Sequence, residues 1–109
     1  MEKSIFEHSN VFRFPGKVDY SAEGIISKRV IDRTAGTVTL FSFDKGQRLS
    51  THSAPFDALV QVVEGNAEIV INEIPFTLGA GDAIIMPAGI PHAVNAVEKF
   101  KMVLTMIKG

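Results

Sequence analysis

Turn-forming residues recur along this chain at short intervals, and that spacing limits what it can fold into. Ala35-Gly36, Asp44-Lys45-Gly46, Glu64-Gly65-Asn66, Asn72-Glu73, Leu78-Gly79-Ala80-Gly81-Asp82 and Pro87-Ala88-Gly89 all carry residues that turns favour. Between them lie runs rich in Val, Ile, Thr and Phe: Thr37 to Phe43, Leu59 to Val63, Ala67 to Ile71, Phe76 to Leu78, Ala83 to Met86 and Phe100 to Ile107. Each is too short for a stable helix, and none shows apolar residues at i, i+3, i+4 and i+7 with caps. Short β-favouring runs at this spacing predict an all-β sandwich or barrel. Pro75 stands at the head of the shortest run, where its missing N–H does least harm.

With 109 residues the chain is expected to be a single domain, 1–109. Its 46% hydrophobic and 21% charged residues place it among ordinary globular proteins. The formal net charge is -1 and no Lys/Arg-rich run is present, so neither nucleic acid nor an anionic membrane is expected as a partner. No apolar run approaches the roughly 20 residues of a membrane-spanning helix. The opening MEKSIFEHSNVFRF has charges every few residues and no apolar h-region, so a cytoplasmic location is expected. The chain has no cysteine, which removes disulfides, thiolate metal sites and a cysteine nucleophile. Residues 1–25 contain Phe6, Val11, Phe12, Phe14 and Val18, too many apolar side chains for a free tail, and are expected to pack on the barrel or on a partner subunit. With Phe41, Phe43, Leu59 and Val63 they exceed what one small barrel needs, which predicts a homodimer.

Two segments carry candidate chemistry: Gly46 to Gly65, containing His52, and Gly81 to Ala96, containing His92. In a strand alternate residues share a face, so His52 sides with Ala54, and His92 with Val94 and Ala96. Ala58, Val60 and Val62 share a face in the same way. Both segments resemble the paired motifs of the cupin superfamily. The first motif reads Gly, five residues, His, one residue, His, three or four residues, Glu, six residues, Gly. Here Gly46, His52 and Gly65 match. The second reads Gly, five residues, Pro, one residue, Gly, two residues, His, three residues, Asn. Here Gly81, Pro87, Gly89 and His92 match. Fifteen residues separate the motifs, 46–65 and 81–96, as in small single-domain bacterial cupins of unassigned function.

The resemblance implies a double-stranded β-helix, the cupin jelly-roll barrel. It also implies a metal site, but two of its positions are changed. The second histidine position is Ala54 and the glutamate position is Ala58, and a methyl group ligates nothing. Asn95 lies one residue before the motif's asparagine position, which is Ala96. Asp57 falls on the opposite face from Ala58 by alternation, and His8 is a further imidazole that no motif places. Two imidazoles are too few for a tightly held ion, since protein sites supply three or four donors. No metal or other cofactor is therefore expected; a divalent transition metal held weakly by His52 and His92 is the alternative.

The expected function is binding of a small molecule in the barrel. Its pocket would be lined by His52, His92, Val60, Val62, Met86 and Met102, with neutral imidazoles facing each other across one ligand atom. The alternative is an enzyme acting on a small metabolite: a metal-dependent oxygenase or isomerase completed by an unconventional ligand, or a metal-free isomerase or lyase using the same histidines for acid–base chemistry. Asp44, Asp57 and Asp82 read as turn residues, and Lys28, Arg29, Arg33, Lys99 and Lys101 as solvated strand faces. No nucleophile–base set, phosphate loop or dinucleotide fingerprint is present.

Overall fold

The computed structural model describes residues 5–109. After one 3-10 turn, Phe14–Lys17, the chain forms eight strands: β1 Ile25–Arg33, β2 Gly36–Phe43, β3 Arg48–His52, β4 Asp57–Ile71, β5 Ile74–Gly79, β6 Ala83–Met86, β7 His92–Asn95 and β8 Phe100–Ile107. Every pairing is antiparallel. One half of the barrel runs β1-β2-β8-β4-β6 and the other β3-β7-β4-β5, so β4 belongs to both. The result is the jelly-roll barrel that the motifs imply. No helix among the described residues is long and apolar enough to cross a membrane.

The shared strand corrects one expectation. Glu64-Gly65-Asn66 is not a turn: β4 runs through it for 15 residues. Its register against β8 slips between Val62 and Glu64, and Gly65 takes φ +76. A bulge places two residues opposite one and bends the strand, which carries β4 from one half of the barrel into the other. β1 lies outside the Val-, Ile-, Thr- and Phe-rich runs and is marked in the sequence only by Lys28, Arg29 and Arg33, which read as a strand face. Its mixture of isoleucines and charges gives no clear alternation, and pairing along β2 makes it extended.

The two halves close on one core. Phe43, Val60, Val62, Met86 and Met102 meet Ala67, Ile69, Leu78 and Val94 from the facing half. Phe100 stacks on Phe43 with ring centroids 4.6 Å apart. Phe43 is thus core and not spare surface, and Phe41 packs against the same cluster. A smaller cluster forms outside the β2–β8 half, where Phe6 and Val18 are buried against Leu40 and Val103, with Phe12 and Phe14 half-buried beside them. The N-terminal segment is therefore a strap on its own barrel; the first four residues of 1–25 lie outside the described residues.

A polar clamp holds the strap. The Tyr20 hydroxyl donates to Glu64 Oε2 at 2.5 Å, and Lys101 Nζ lies 3.4 Å from the same oxygen. Lys101 also donates to the Pro15 carbonyl at 2.6 Å and sits 4.8 Å from the Tyr20 ring centroid. The expectation of a solvated Lys101 is corrected: it is 7% exposed, because the strap covers it and supplies acceptors for its charge. The hydrogen bond from Tyr20 holds the Glu64 carboxyl below the usual carboxylate range, with Lys101 adding to the effect. Burial, with the bond to Glu64, pushes the Tyr20 phenol up.

Candidate functional site: a pair of imidazoles at the barrel mouth

The site begins with turns. Asp57 Oδ1 accepts the Ala88 N–H at 2.8 Å, which ties the Pro87-Ala88-Gly89 turn to the start of β4. Gly89 N donates to the Ala54 carbonyl at 2.7 Å, anchoring the same turn to the segment after β3. Asp44 and Asp82 likewise accept backbone N–H groups, from Glu23 and Gly79, so all three aspartates act as turn residues. The turn delivers His92 to the start of β7, where its register partners are Ile71 on β4 and His52 on β3. Paired residues project to the same side of a sheet, and Ile71 packs against the core. Both histidines therefore sit on the core-facing side at the end of the barrel.

The two rings meet. Their Nε2 atoms are 3.3 Å apart, with ring centroids at 4.5 Å and planes at 72°. His92 is 5% exposed, whereas His52 is exposed at the rim. Each Nδ1 faces a backbone carbonyl two residues earlier: His52 Nδ1 with Ser50 O at 2.9 Å, and His92 Nδ1 with Ile90 O at 3.2 Å. A carbonyl accepts and cannot donate, so this network assigns the hydrogen to Nδ1 in both rings. In the neutral state both Nε2 atoms then present lone pairs to each other. They attract only when a proton lies between them; 3.3 Å leaves no room for the ligand atom expected there, so a ligand donor reaches both only from the side. Burial, with His52 nearby, lowers the His92 pKa and opposes filling that gap with a proton. A neutral imidazole has one donor and one acceptor; the backbone occupies the donor of each ring, and the pair offers acceptors only.

The other expected lining residues lie elsewhere. Val60, Val62, Met86 and Met102 are packed into the core at 4% exposure or less. A cavity of about 490 Å³ lies beside His92, bordered also by Thr51, Val70, Asn72, Glu73, Pro91 and Ala93, and none of those four borders it. Val70 and Ala93 are register partners of the opposite parity to Ile71 and His92, so this cavity follows the outer side of the sheet. Alternation told which side these valines and methionines face, but not that side chains from the other half fill that side. His8 is exposed and borders a separate cavity with Arg29 and Ile31. The Asn95 amide donates to Glu68 at 2.9 Å. Among the described residues no third His, Cys, Asp or Glu joins the pair. The donor set of two imidazoles, with Ala54 and Ala58 at the neighbouring motif positions, does not fit a tightly held ion.

Eight antiparallel strands in two facing halves, with a histidine from each motif at one end, define a β-barrel of the double-stranded β-helix class. The cupin domain family matches residues 39–108, and this chain belongs to it. No curated protein matches the chain. Among solved structures it is similar to a conserved Streptococcus pyogenes protein of unknown function, at 38% identity and TM-score 0.90, over 100% of this chain and 96% of that one. It is also similar to a cupin 2 conserved barrel domain protein from Leptotrichia buccalis, at 39% identity and TM-score 0.84, over 86% of this chain but 46% of that one. The chain thus spans about half the length of that relative. An uncharacterised conserved protein with a double-stranded β-helix domain from Klebsiella pneumoniae matches at 26% identity and TM-score 0.79, over 94% and 92% of the two chains.

Proposed function

We propose that this cupin binds a small molecule at the barrel mouth through a hydrogen-bond donor that approaches the paired Nε2 atoms of His52 and His92 from the side, without a tightly held metal. The observation that carries this is the pair of Nε2 atoms 3.3 Å apart whose Nδ1 partners both face carbonyls. Two converging acceptors suit a hydroxyl or an ammonium group and oppose a carboxylate, whose oxygens would meet the same lone pairs. Ligands that raise the melting temperature in a screen are the starting point. Replacing the donor of such a hit by its methyl ether or N-methylated form should abolish the shift, and so should the double variant His52→Ala/His92→Ala, whose fold is checked by circular dichroism. A hit that shifts the double variant as far as the wild type overturns the proposal.

A second reading rests on the same contact. An unprotonated Nε2 beside another can take a proton from a bound molecule and share it, which is the arrangement a general base needs. Loss of an acidic C–H proton to deuterium in a hit, seen by NMR with the wild type and not with the double variant, would favour catalysis over binding alone.

A further inference from the structure

We infer that the ligand is an alcohol or amine with an uncharged alkyl or aryl body, and that Ile71, Ile74 and Phe76 form the shelf that receives this body; the inference rests on the binding role proposed for His52 and His92. Strand pairing places the shelf. His52 on β3 is the register partner of His92 on β7, His92 of Ile71 on β4, and Ile71 of Ile74 on β5. Register partners project to the same side of a sheet. The two imidazoles and the two isoleucines therefore form one row on the core-facing side. The next row inward runs Leu49, Val94, Ile69 and Phe76. Val94 and Ile69 in its middle are buried in the core. Along β5 the same side emerges from under the facing half of the barrel: Leu78 is 4% exposed, Phe76 39% and Ile74 55%.

Core-facing apolar side chains that stay open to solvent beside a pair of acceptors have the make-up of a small-molecule site, which is mostly hydrocarbon with a few placed polar groups. The row supplies both in order: two Nε2 lone pairs at one end, then hydrocarbon. Neighbouring strands lie about 4.8 Å apart, so Ile74 stands roughly 10 Å along the row from His92. That span suits a short alkyl chain or one aromatic ring on a linker. Neither row contains a lysine or arginine, so an anionic group on the body would find no partner there. The shelf is fixed relative to the imidazoles, because the Asn72 N–H donates to the Pro91 carbonyl at 2.9 Å and ties the β4–β5 hairpin to the residue before His92. The occupant is a small molecule because shelf and acceptors are continuous in one row. His92, almost wholly buried, admits a narrow head group and not a folded surface.

The probes are 1-butanol, 1-hexanol, hexylammonium and hexanoate, titrated into nitrogen-15-labelled protein and followed by the imidazole Nε2 resonances. Hexanol should bind about fourfold tighter than butanol, the gain for half-burying two methylene groups, and hexanoate more weakly than hexanol or hexylammonium. Ile74→Thr/Phe76→Thr keeps β-favouring residues at both positions. This shelf variant should bind the two alcohols equally while the Nε2 shifts persist. In the wild type, nuclear Overhauser effects should run from the terminal methyl of hexanol to Ile74 and Phe76, which locates the chain even where the shelf variant fails to fold. Equal binding of the two alcohols by the wild type overturns the inference, as does an undiminished length dependence in the shelf variant. Contacts to Val70 and Ala93 in the outer cavity, with none to Ile74 or Phe76, overturn it too. So does a wild-type dimer that the shelf variant splits, seen by light scattering, since a second copy would then cover these side chains. Hexanol that contacts Ile74 yet binds His52→Ala/His92→Ala unchanged overturns the histidine reading instead, a result distinct from failure of the shelf.

Discussion

Gly65→Ala tests whether the strand shared by both halves of the barrel depends on one residue. An added Cβ at Gly65 would stand 2.3 Å from the Lys99 carbonyl oxygen and 3.0 Å from Phe100 Cα, both backbone atoms of the neighbouring strand region. Gly65 and Phe100 are register partners, so neither side gives way without opening the ladder. The substitution also places a side chain at φ +76, which costs about 1–2 kcal/mol by itself. Forcing a backbone shift in a packed interior adds about 1–3 kcal/mol. The expected loss is about 2–5 kcal/mol, which for a domain of this size lowers the melting temperature by roughly 10–20 °C. Gly81→Ala supplies the control. Gly81 has φ +95 with nothing within 4 Å of an added Cβ, so only the conformational part remains, about 1–2 kcal/mol. Urea unfolding followed by circular dichroism measures both, with an unchanged m value showing that the transitions stay comparable. If Gly65→Ala loses no more stability than Gly81→Ala, the backbone clash is not real, and the bulge does not carry the crossing between the two halves.

The strap clamp predicts that Tyr20→Phe lowers stability by about 1.5 kcal/mol, the low end for a hydrogen bond to a charged group, because the Glu64 side chain is 42% exposed; chemical denaturation measures it. Glu64 has a depressed folded pKa, so its contribution is full above the unfolded carboxylate value of about 4.3 and disappears as pH falls through the folded value. The stability gap between wild type and Glu64→Gln should accordingly be flat at neutral pH and shrink at acidic pH. His92 is held neutral by burial. Below the unfolded imidazole value of about 6.5 the unfolded chain binds more protons, and stability falls with falling pH. His92→Gln should flatten the slope between about pH 7 and 5.5 measured by thermal unfolding, and a steeper slope in the variant would contradict the burial argument. Elemental analysis of protein purified without a histidine tag should find well below one equivalent of zinc, iron, nickel or manganese; a full equivalent lost in His52→Ala would show that two imidazoles recruit a further donor.

Much of the architecture was legible because its signals are local. Glycine at Gly46 and Gly81, the Pro87-Ala88-Gly89 turn and the alternation around His52 and His92 each depend on a few neighbouring residues. They set the turns, the strand faces and the end of the barrel at which the imidazoles meet. The two missing donors, at Ala54 and Ala58, needed only the motif spacing. The rest depended on partners far along the chain. Whether Gly65 turns or bulges was decided by the ladder with Phe100 across the barrel, since the same residue type serves both. Lys101 has the same sequence appearance as Lys99, yet the strap bearing Pro15 and Tyr20 buries it. Val60, Val62, Met86 and Met102 face inward as their alternation requires, but the opposite half of the sheet fills the space they face. The hydrogen-bonding character of the histidine pair was beyond sequence reading for the same reason. Only the fold determines that Ser50 and Ile90 turn their carbonyls onto both Nδ1 atoms, leaving two lone pairs facing each other.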